Sequence, residues 1–252
     1  MHNQLTLSLL PPVRAELADG LVGRNQEALE SMAALLEGRE TEFSANRPPW
    51  RLLWGEPGCG KSFWLEAWSH ARSDILLVGP RHQPGDLLAA NGSPGKTALL
   101  ADDVDRWPMD LQQALFAHMT IQASLPGDQM QPLVMTSQAP AARLQGLRED
   151  LRTRLGLALS FELHRLSEPD MMAAMRQQAH SLGWVASADQ TDFDRLFEYL
   201  LTRLPRHLGS LKALMKKADE KALAEKRSLT LPLVRSLIDE LFDTLSEANP
   251  HA

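Results

Sequence analysis

The sequence is poor in cysteine and has no excess of positive charge. Cys59 is its only cysteine, so no intramolecular disulfide can form, which suits a reducing compartment. Lys and Arg total 26 against 32 Asp and Glu, a formal net charge of -6, whereas a free-standing DNA-binding protein needs a basic face to neutralise phosphates. The N-terminal apolar run is too short for a signal peptide or a membrane span. We therefore expect a cytoplasmic protein whose contact with nucleic acid is indirect.

With 44% hydrophobic residues the chain can bury an ordinary core, and the spacing of these residues predicts two folded parts. Up to about residue 166, short apolar strands alternate with helices, which predicts a parallel sheet covered on both faces. Beyond that point only helical patterns follow. The predicted strands are 50–54, 75–78, 97–101, 132–136 and 158–163, and the predicted helices are 25–37, 63–71, 111–121, 168–182, 191–204, 206–225 and 232–245. We divide the chain into a tail at 1–16, an α/β core at 17–166 and a helical domain at 167–252.

A glycine-rich segment at 55–62 reads Gly-Glu-Pro-Gly-Cys-Gly-Lys-Ser, and it lies between a predicted strand and a predicted helix. This is the sequence and the context of the phosphate-binding P-loop. The glycines let backbone N–H groups turn toward phosphates, and the helix N-terminus adds partial positive charge. Lys61 would place a full charge near the β and γ phosphates, and Ser62 would offer its hydroxyl to Mg²⁺. The segment predicts ADP or ATP with Mg²⁺ as ligand, and Cys59 reads as a small filler and not as a nucleophile.

A second motif, Leu-Leu-Ala-Asp-Asp at 99–103, is an apolar strand that ends in two acids. Asp102 would hold Mg²⁺ through its water shell, and Asp103 would orient the attacking water. A twin-Asp turn after a core strand is common by itself. The P-loop that precedes it favours the metal interpretation.

Beyond these motifs the chain resembles the AAA+ core of the bacterial replication initiator DnaA and, more closely, the Hda proteins, the regulatory inactivators of DnaA. The resemblance covers nearly the whole chain and implies a P-loop AAA+ core with a small C-terminal all-helical lid. The stretch 21–25 resembles the segment that packs against adenine, and 133–137 resembles the sensor I strand, although Gln138 stands where the initiator has Asp. Asp103 stands where most AAA+ proteins have Glu. Its shorter side chain argues against fast hydrolysis by this protein alone.

The resemblance also assigns roles to two arginines. The segment 147–156 resembles the one that carries the family's arginine finger, which would be Arg154 acting in the ATP site of a neighbouring DnaA molecule. On a helix, Arg148 and Arg152 are four residues apart and share a face, so we expect Arg154 to point elsewhere. The segment 204–208 resembles sensor II and would put Arg206 over the nucleotide. Without the resemblance, solvated surface positions stay open for both Arg154 and Arg206.

The N-terminus resembles the Q-L-x-L-x-L peptide by which Hda proteins bind the replicative sliding clamp. Its residues are Gln4, Leu5, Leu7 and Leu9. In an extended chain the three leucines project on one side, while Gln4 offers amide hydrogen bonds. An edge strand or a cover over the protein's own core is the alternative for this segment. The initiator carries a helix-turn-helix domain after its lid, and here Ala252 falls about where the lid ends, so we expect the regulatory homologue.

From these motifs and the resemblance we predict four sets of site residues. The cofactor-binding residues are Val22, Gly23, Gly55, Gly58, Cys59, Gly60, Lys61, Ser62, Phe63, Ser137 and Arg206. The metal residues are Ser62 and Asp102, the catalytic residues are Arg154 and Asp103, and the clamp-binding residues are Gln4, Leu5, Leu7 and Leu9.

The resemblance implies a negative regulator of replication initiation that holds ADP or ATP, docks on the DNA-loaded sliding clamp and stimulates ATP hydrolysis by DnaA. Its partners would be DnaA, the clamp and, through the clamp, DNA; no membrane contact is expected, and homo-oligomer formation stays open. One alternative is an ATPase that turns over by itself, like a clamp-loader or transposition-helper subunit. Another is a factor that assembles on origin DNA, which the acidic balance opposes.

Overall fold

The computed structural model of the chain describes residues 14–90, 97–184, 190–203, 208–224 and 236. These residues group into two compact units, one of which is Arg14–Leu166, while the other contains the described residues from Ser167 onward. The first unit begins a few residues before the predicted start of the core, and Ala15 is buried in it. The predicted clamp peptide, Arg206 and nearly all of the predicted helix at 232–245 lie outside the described residues.

The first unit contains a sheet of five parallel strands in the order β2-β3-β4-β1-β5. The strands are β1 (Trp50–Trp54), β2 (Ile75–Val78), β3 (Ala98–Ala101), β4 (Leu133–Ser137) and β5 (Leu159–Glu162). β1, β3 and β4 are mostly apolar and buried because helices cover both faces of the sheet, whereas β5 lies at its edge and is largely exposed. The parallel sheet predicted from the sequence is confirmed.

The two faces of the sheet bury separate apolar clusters, because successive strand residues point to opposite faces. Trp50 and Leu52 of β1 pack in one cluster, and Leu53 packs in the other. The helices of this unit are α1 (Gln26–Leu36), α2 (Lys61–Ala71), α3 (Pro84–Ala90), α4 (Met109–Ala123) and α5 (Glu149–Leu155). Residues of α4 and α5 lie in the cluster with Leu52, and residues of α1 and α2 lie in the cluster with Leu53.

Helix α3 was not predicted from the sequence. It has only seven residues and contains Gly85 directly after Pro84, a pair typical of turns. The short 3-10 turns at Leu17–Asp19, Val104–Arg106, Gly127–Gln129 and Ala141–Arg143 are likewise too short for periodicity to reveal.

The second unit is helical in its described residues. Its helices are α6 (Glu168–Ser181), α7 (Gln190–Arg203) and α8 (Leu208–Ala224). Helix α6 begins with a reciprocal capping box, in which Ser167 accepts from the N–H of Asp170 and Asp170 accepts from the N–H of Ser167. Pro169 lies in its first turn, where the missing N–H costs nothing. Met171 and Met175 of α6 are buried, which agrees with a helical domain that has a core of its own.

Among the helices in the described part of the chain, none is both long enough and apolar enough to cross a bilayer.

Candidate functional site

The P-loop, Asp102 and Ser137 lie at the edge of the sheet formed by the carboxyl ends of its strands. The P-loop follows β1, Asp102 follows β3, and Ser137 ends β4. Because β3, β4 and β1 are neighbours and parallel, their carboxyl ends lie side by side at the same edge. Ligands of open parallel sheets bind at this edge. The P-loop and the segment 99–103 therefore end at the same edge of the sheet.

The P-loop has a backbone that requires glycine. Gly58 and Gly60 have φ values of 83° and 97°, which L side chains rarely adopt. A Cβ on Gly55 would lie 2.3 Å from the carbonyl oxygen of Leu163, so the loop also passes tightly against the end of the edge strand. Gly60 precedes α2 without a side-chain cap, so the first N–H groups of this helix receive no side-chain acceptor. Such a helix start suits an anion.

Lys61 lies inside the curl of the loop. Its Nζ donates to the carbonyl oxygens of Gly55 at 2.7 Å and Glu56 at 3.2 Å, and it lies 3.7 Å from the Sγ of Cys59. Only 6% of Lys61 is exposed. Cys59 is itself buried, as expected of a filler. The ammonium group is thus held at the loop by neutral acceptors, and among the described residues no carboxylate forms an ion pair with it.

Thr136 joins the two acids that follow β3. Its Oγ1 donates to Oδ1 of Asp102 at 2.6 Å and accepts from the backbone N–H of Asp103 at 2.7 Å. Thr136 is fully buried, so this hydroxyl is fixed in place. The indole N–H of Trp107 donates to the carbonyl oxygen of Asp102 at 2.7 Å and holds the same turn from another side. The Asp102 carboxylate therefore has a defined orientation.

Asp103 takes an unusual backbone conformation. Its φ of 49° lies in the left-handed region, where it is the one non-glycine residue among those described. Oδ2 of Asp103 lies 3.4 Å from Nη1 of the exposed Arg106. Strained backbone of this kind is kept where the surroundings fix it, and here Thr136 does so through the Asp103 N–H.

Asp105 is a further acid at this edge of the sheet that the sequence analysis did not single out. Burial of its carboxylate and the charge of Asp103 raise the pKa of Asp105 above its ordinary value, while the charge of Lys61 acts in the opposite direction. Its Oδ1 is buried without a hydrogen-bond partner in the described structure. A carboxylate is therefore present within electrostatic reach of the P-loop lysine.

The side chains at this site fit a Mg²⁺ ion that is coordinated partly by the protein and partly by the phosphates of a bound nucleotide. The hydroxyl of Ser62 is half-buried at the start of α2, and within the described residues Oδ2 of Asp102 makes no hydrogen bond. No cluster of three or more His, Cys, Asp or Glu residues in the described ranges could hold a metal ion alone. One hydroxyl and one carboxylate, completed by phosphate oxygens and water, are the set that Mg²⁺ takes at phosphate sites.

Asn25 anchors the stretch 21–25 to the backbone of His164, which follows the outer strand β5. Its Nδ2 donates to the carbonyl oxygen of His164 at 2.9 Å, and its Oδ1 accepts from the N–H of His164 at 2.7 Å. Asn25 is buried, whereas Val22 is 40% exposed and Gly23 has a φ of 52°. Val22 also lines an apolar cavity of about 460 Å³ between α1 and α2, with Trp64 and Trp68 on its wall.

We expect Asn25→Asp to destabilise the first unit by about 1–3 kcal/mol, because it keeps the acceptor for the His164 N–H but replaces the donor to the His164 carbonyl with a buried charge. Urea unfolding measures this loss. Gln26→Glu, which alters an exposed amide one position further on, serves as the control. Equal stability of the two variants would contradict the anchoring role.

Ser137 and Phe63 lie at the site with different surroundings. The hydroxyl of Ser137 is buried and donates to the carbonyl oxygen of Ala139 at 2.7 Å, and its own carbonyl accepts from the N–H of Gly55. In β4 it is Thr136, and not Ser137, whose hydroxyl contacts the acids after β3. The sequence analysis named Ser137 and missed Thr136, because two adjacent hydroxyl residues end this strand. Phe63 is half-buried and packs edge to face on Trp64.

The arginines of the segment 147–156 are arranged differently from the prediction. Arg148 is the N-cap of α5 with non-helical backbone, so helical spacing does not apply to it. The guanidinium groups of Arg148 and Arg154 both lie over the ring of Phe116 of α4, at 5.9 Å and 5.6 Å from its centroid. The expectation that Arg154 points away from Arg148 is therefore wrong. Among the described residues, the side chain of Arg154 makes neither an ion pair nor a hydrogen bond, and its contact is the Phe116 ring.

Comparison with known proteins agrees with this architecture. Residues 168–238 match the family model described as "Hda, lid domain". An uncharacterised protein of Haemophilus influenzae is 24% identical over 216 residues, which are 81% of this chain and 88% of that protein. Domain III of the Thermotoga maritima replication initiation protein DnaA superposes with a TM-score of 0.64 at 16% identity, over 92% of this chain and 98% of that one. AMPPCP-bound DnaA from Aquifex aeolicus superposes with a TM-score of 0.58 at 16% identity, over 82% of this chain and 65% of that one.

The five-stranded parallel sheet, the P-loop after β1 and the helical second unit give the chain a P-loop AAA+ fold. Its lid segment matches the Hda type. Residues 168–238 are thus similar to the lid of the Hda family, and the fold of the chain is similar to that of DnaA domain III.

Proposed function

We propose that this protein binds ADP or ATP at the P-loop and acts as a negative regulator of replication initiation. The observation that carries the regulatory part is the match of residues 168–238 to the Hda lid, on a core with the fold of DnaA domain III. The nucleotide part is supported by the loop of Gly55, Gly58 and Gly60, by the buried Lys61 and by the oriented Asp102. The A. aeolicus relative in fold is itself a complex with AMPPCP.

In this proposal the bound nucleotide has a mainly structural role. Val22 and Gly23 would lie against the base, and Arg206 would reach the phosphates from the lid. Ser62 and Asp102 would hold Mg²⁺, which neutralises charge on the phosphate oxygens when it is bound. Asp103 would orient a water, but its Oδ2 lies near Arg106 and its side chain is short. Slow turnover by the protein alone follows from this arrangement.

The regulatory activity would be exerted on a neighbouring molecule. Arg154 would enter the ATP site of DnaA and stabilise the charge that develops on the γ-phosphate during hydrolysis. The active ATP form of the initiator would thereby become its ADP form. Gln4, Leu5, Leu7 and Leu9 would bind the DNA-loaded sliding clamp and bring the protein to DNA without a basic face of its own. The net charge of -6 fits a protein that meets DNA in this indirect way.

The clamp part is tested by deletion of residues 1–10. Hydrolysis of ATP prebound to DnaA is followed with DNA-loaded clamp, with the parent protein and with the deletion variant. We expect the parent to accelerate hydrolysis and the deletion variant to lose the part that depends on the clamp. Equal acceleration by the two proteins would remove clamp docking from the proposal.

A second candidate function is an ATPase that turns over by itself, of the clamp-loader or transposition-helper type. The intact set of Lys61, Asp102 and Asp103, with Thr136 fixing both acids, favours it. Steady-state turnover by the isolated protein that disappears in Asp103→Asn would support this function. Negligible turnover by the parent would eliminate it.

We expect Asp105→Asn to tighten ADP binding about fivefold. The substitution removes a negative charge whose repulsion of the bound phosphates costs about 1 kcal/mol. Fluorescence titration with a labelled ADP measures the affinity. Asp128→Asn removes the same charge from an exposed turn before β4, at the opposite edge of the sheet, and serves as the control. Unchanged or weaker binding by Asp105→Asn would show that its carboxylate does not oppose the phosphates.

A further inference from the structure

The segment that begins α5 is fixed to α4 by polar contacts. Gln112 of α4 accepts from the N–H of Arg148 at 3.1 Å and donates to the carbonyl oxygen of Trp107 at 2.9 Å. Phe116 follows Gln112 by four residues, so both side chains lie on the same face of α4. Phe116 packs against the buried cluster on this side of the sheet, which limits the movement of its ring.

The two guanidinium groups beside this ring differ in their electrostatic surroundings. Arg148 forms two parallel hydrogen bonds with Asp150, Nε to Oδ1 at 3.1 Å and Nη2 to Oδ2 at 2.7 Å. Its charge is therefore compensated locally. Arg154 contacts the same ring, but no carboxylate within the described residues pairs with it. The cation is supported by a neutral aromatic group.

An arginine that acts on another molecule keeps its charge available when its contact within its own chain is a neutral ring instead of a carboxylate. A carboxylate partner would cancel the charge and would have to be separated from it before a phosphate could bind. An aromatic ring attracts the guanidinium through its quadrupole, limits its rotamers and leaves its charge available. Arg152, on the same helix, contacts no aromatic ring in the part of the chain that the structure describes.

We propose that Phe116 is the positioning residue for Arg154: its ring holds the uncompensated guanidinium in the orientation from which it enters the ATP site of the partner. This inference rests on the proposed trans-acting function of Arg154 and adds a residue of another helix to it. Phe116 does not touch the nucleotide in this account, and its effect is transmitted through Arg154.

The test separates positioning from binding. The rate of hydrolysis of DnaA-bound ATP is measured as a function of the concentration of this protein, with DNA-loaded clamp, for the parent, Phe116→Leu and Phe116→Tyr. We expect Phe116→Leu to lower the maximal stimulated rate about two- to fivefold with an unchanged half-saturating concentration. Phe116→Tyr keeps an aromatic face and should retain the parent rate. Arg152→Ala is the control for a general loss of positive charge from α5.

Spectra of the free protein test the contact without the partner. The side-chain Nε–Hε signal of Arg154, identified by its loss in Arg154→Lys, should move in Phe116→Leu when the ring current is removed and should move much less in Phe116→Tyr. An Arg154 signal that is the same in the parent and in Phe116→Leu overturns the inference. So does a maximal rate that Phe116→Leu leaves unchanged, or an equal loss in the leucine and tyrosine variants.

Failure of the proposed function gives a different result. If the parent itself does not accelerate hydrolysis by DnaA, the trans-acting role of Arg154 is wrong, and the positioning role falls with it whatever the spectra show. If the parent accelerates hydrolysis and only the Phe116 variants behave against expectation, the function stands and the positioning role alone is overturned.

Discussion

Replacing Arg154 with alanine is expected to reduce the stimulated hydrolysis of DnaA-bound ATP by about 10³-fold or more, close to the unstimulated rate. An arginine supplied to an ATP site in trans contributes this much because it meets charge that develops only in the transition state. In the free protein, Arg154 touches the Phe116 ring and has no ion pair among the described residues, so the truncation removes little folding energy. Single-turnover hydrolysis with DNA-loaded clamp measures the effect.

Two controls show whether the loss of stimulation in Arg154→Ala is specific to this side chain. Arg152→Ala removes the same charge from the same helix and should keep most of the stimulation. The affinity of the Arg154→Ala variant for ADP should equal that of the parent, because α5 precedes β5 and does not contribute to the P-loop edge formed by β1, β3 and β4. Stimulation that survives in Arg154→Ala but disappears in Arg152→Ala would place the acting arginine two residues earlier on the helix than we propose.

Lowering the pH is expected to destabilise the protein through His118. Burial lowers the pKa of His118 to about 4, and the side chain is fully inaccessible within α4. An unfolded chain has a histidine pKa of about 6.5, so between these two values the unfolded state binds more protons than the folded state. Stability contributed by neutral His118 is present above about pH 6.5 and is lost as the pH falls toward 4.

The size of the pH effect follows from this difference in pKa. From about pH 7 to about pH 4.5 the parent should lose about 2–3 kcal/mol more unfolding free energy than His118→Gln, which does not titrate. Urea unfolding at the two pH values measures the difference for the parent, for His118→Gln and for a second non-titrating variant, His118→Leu. Equal losses in all three proteins would mean that protonation of His118 does not limit stability in acid.

The sequence predicted the sheet and the P-loop edge because both depend on local patterns. β1 and β2 were predicted with their observed ends, since each is an apolar run bounded by turn residues. The G-x-x-x-x-G-K-[ST] spacing fixes a loop, a helix start and a lysine together, so the placement of Lys61 followed from the motif.

The features that the sequence did not predict depend on contacts between distant elements. Thr136 bridges Asp102 and Asp103 across two strands, and nothing in the spacing of β4 distinguishes its hydroxyl from that of Ser137. Arg148 was assumed to be helical, although it caps α5 with non-helical backbone, and its meeting with Phe116 depends on how α4 packs on α5. Such pairs are set by tertiary packing and not by periodicity.

The central proposal is that this protein, whose residues 168–238 match the Hda lid, converts DnaA from its ATP form to its ADP form. The most direct measurement is the identity of the nucleotide on DnaA, loaded with radiolabelled ATP and incubated with DNA-loaded clamp in the presence or absence of the parent protein. We predict that the ADP-bound fraction rises rapidly when the protein and the clamp are both present and remains near the intrinsic rate when either is omitted. An ADP-bound fraction that grows at the same rate with and without the protein would contradict the claim.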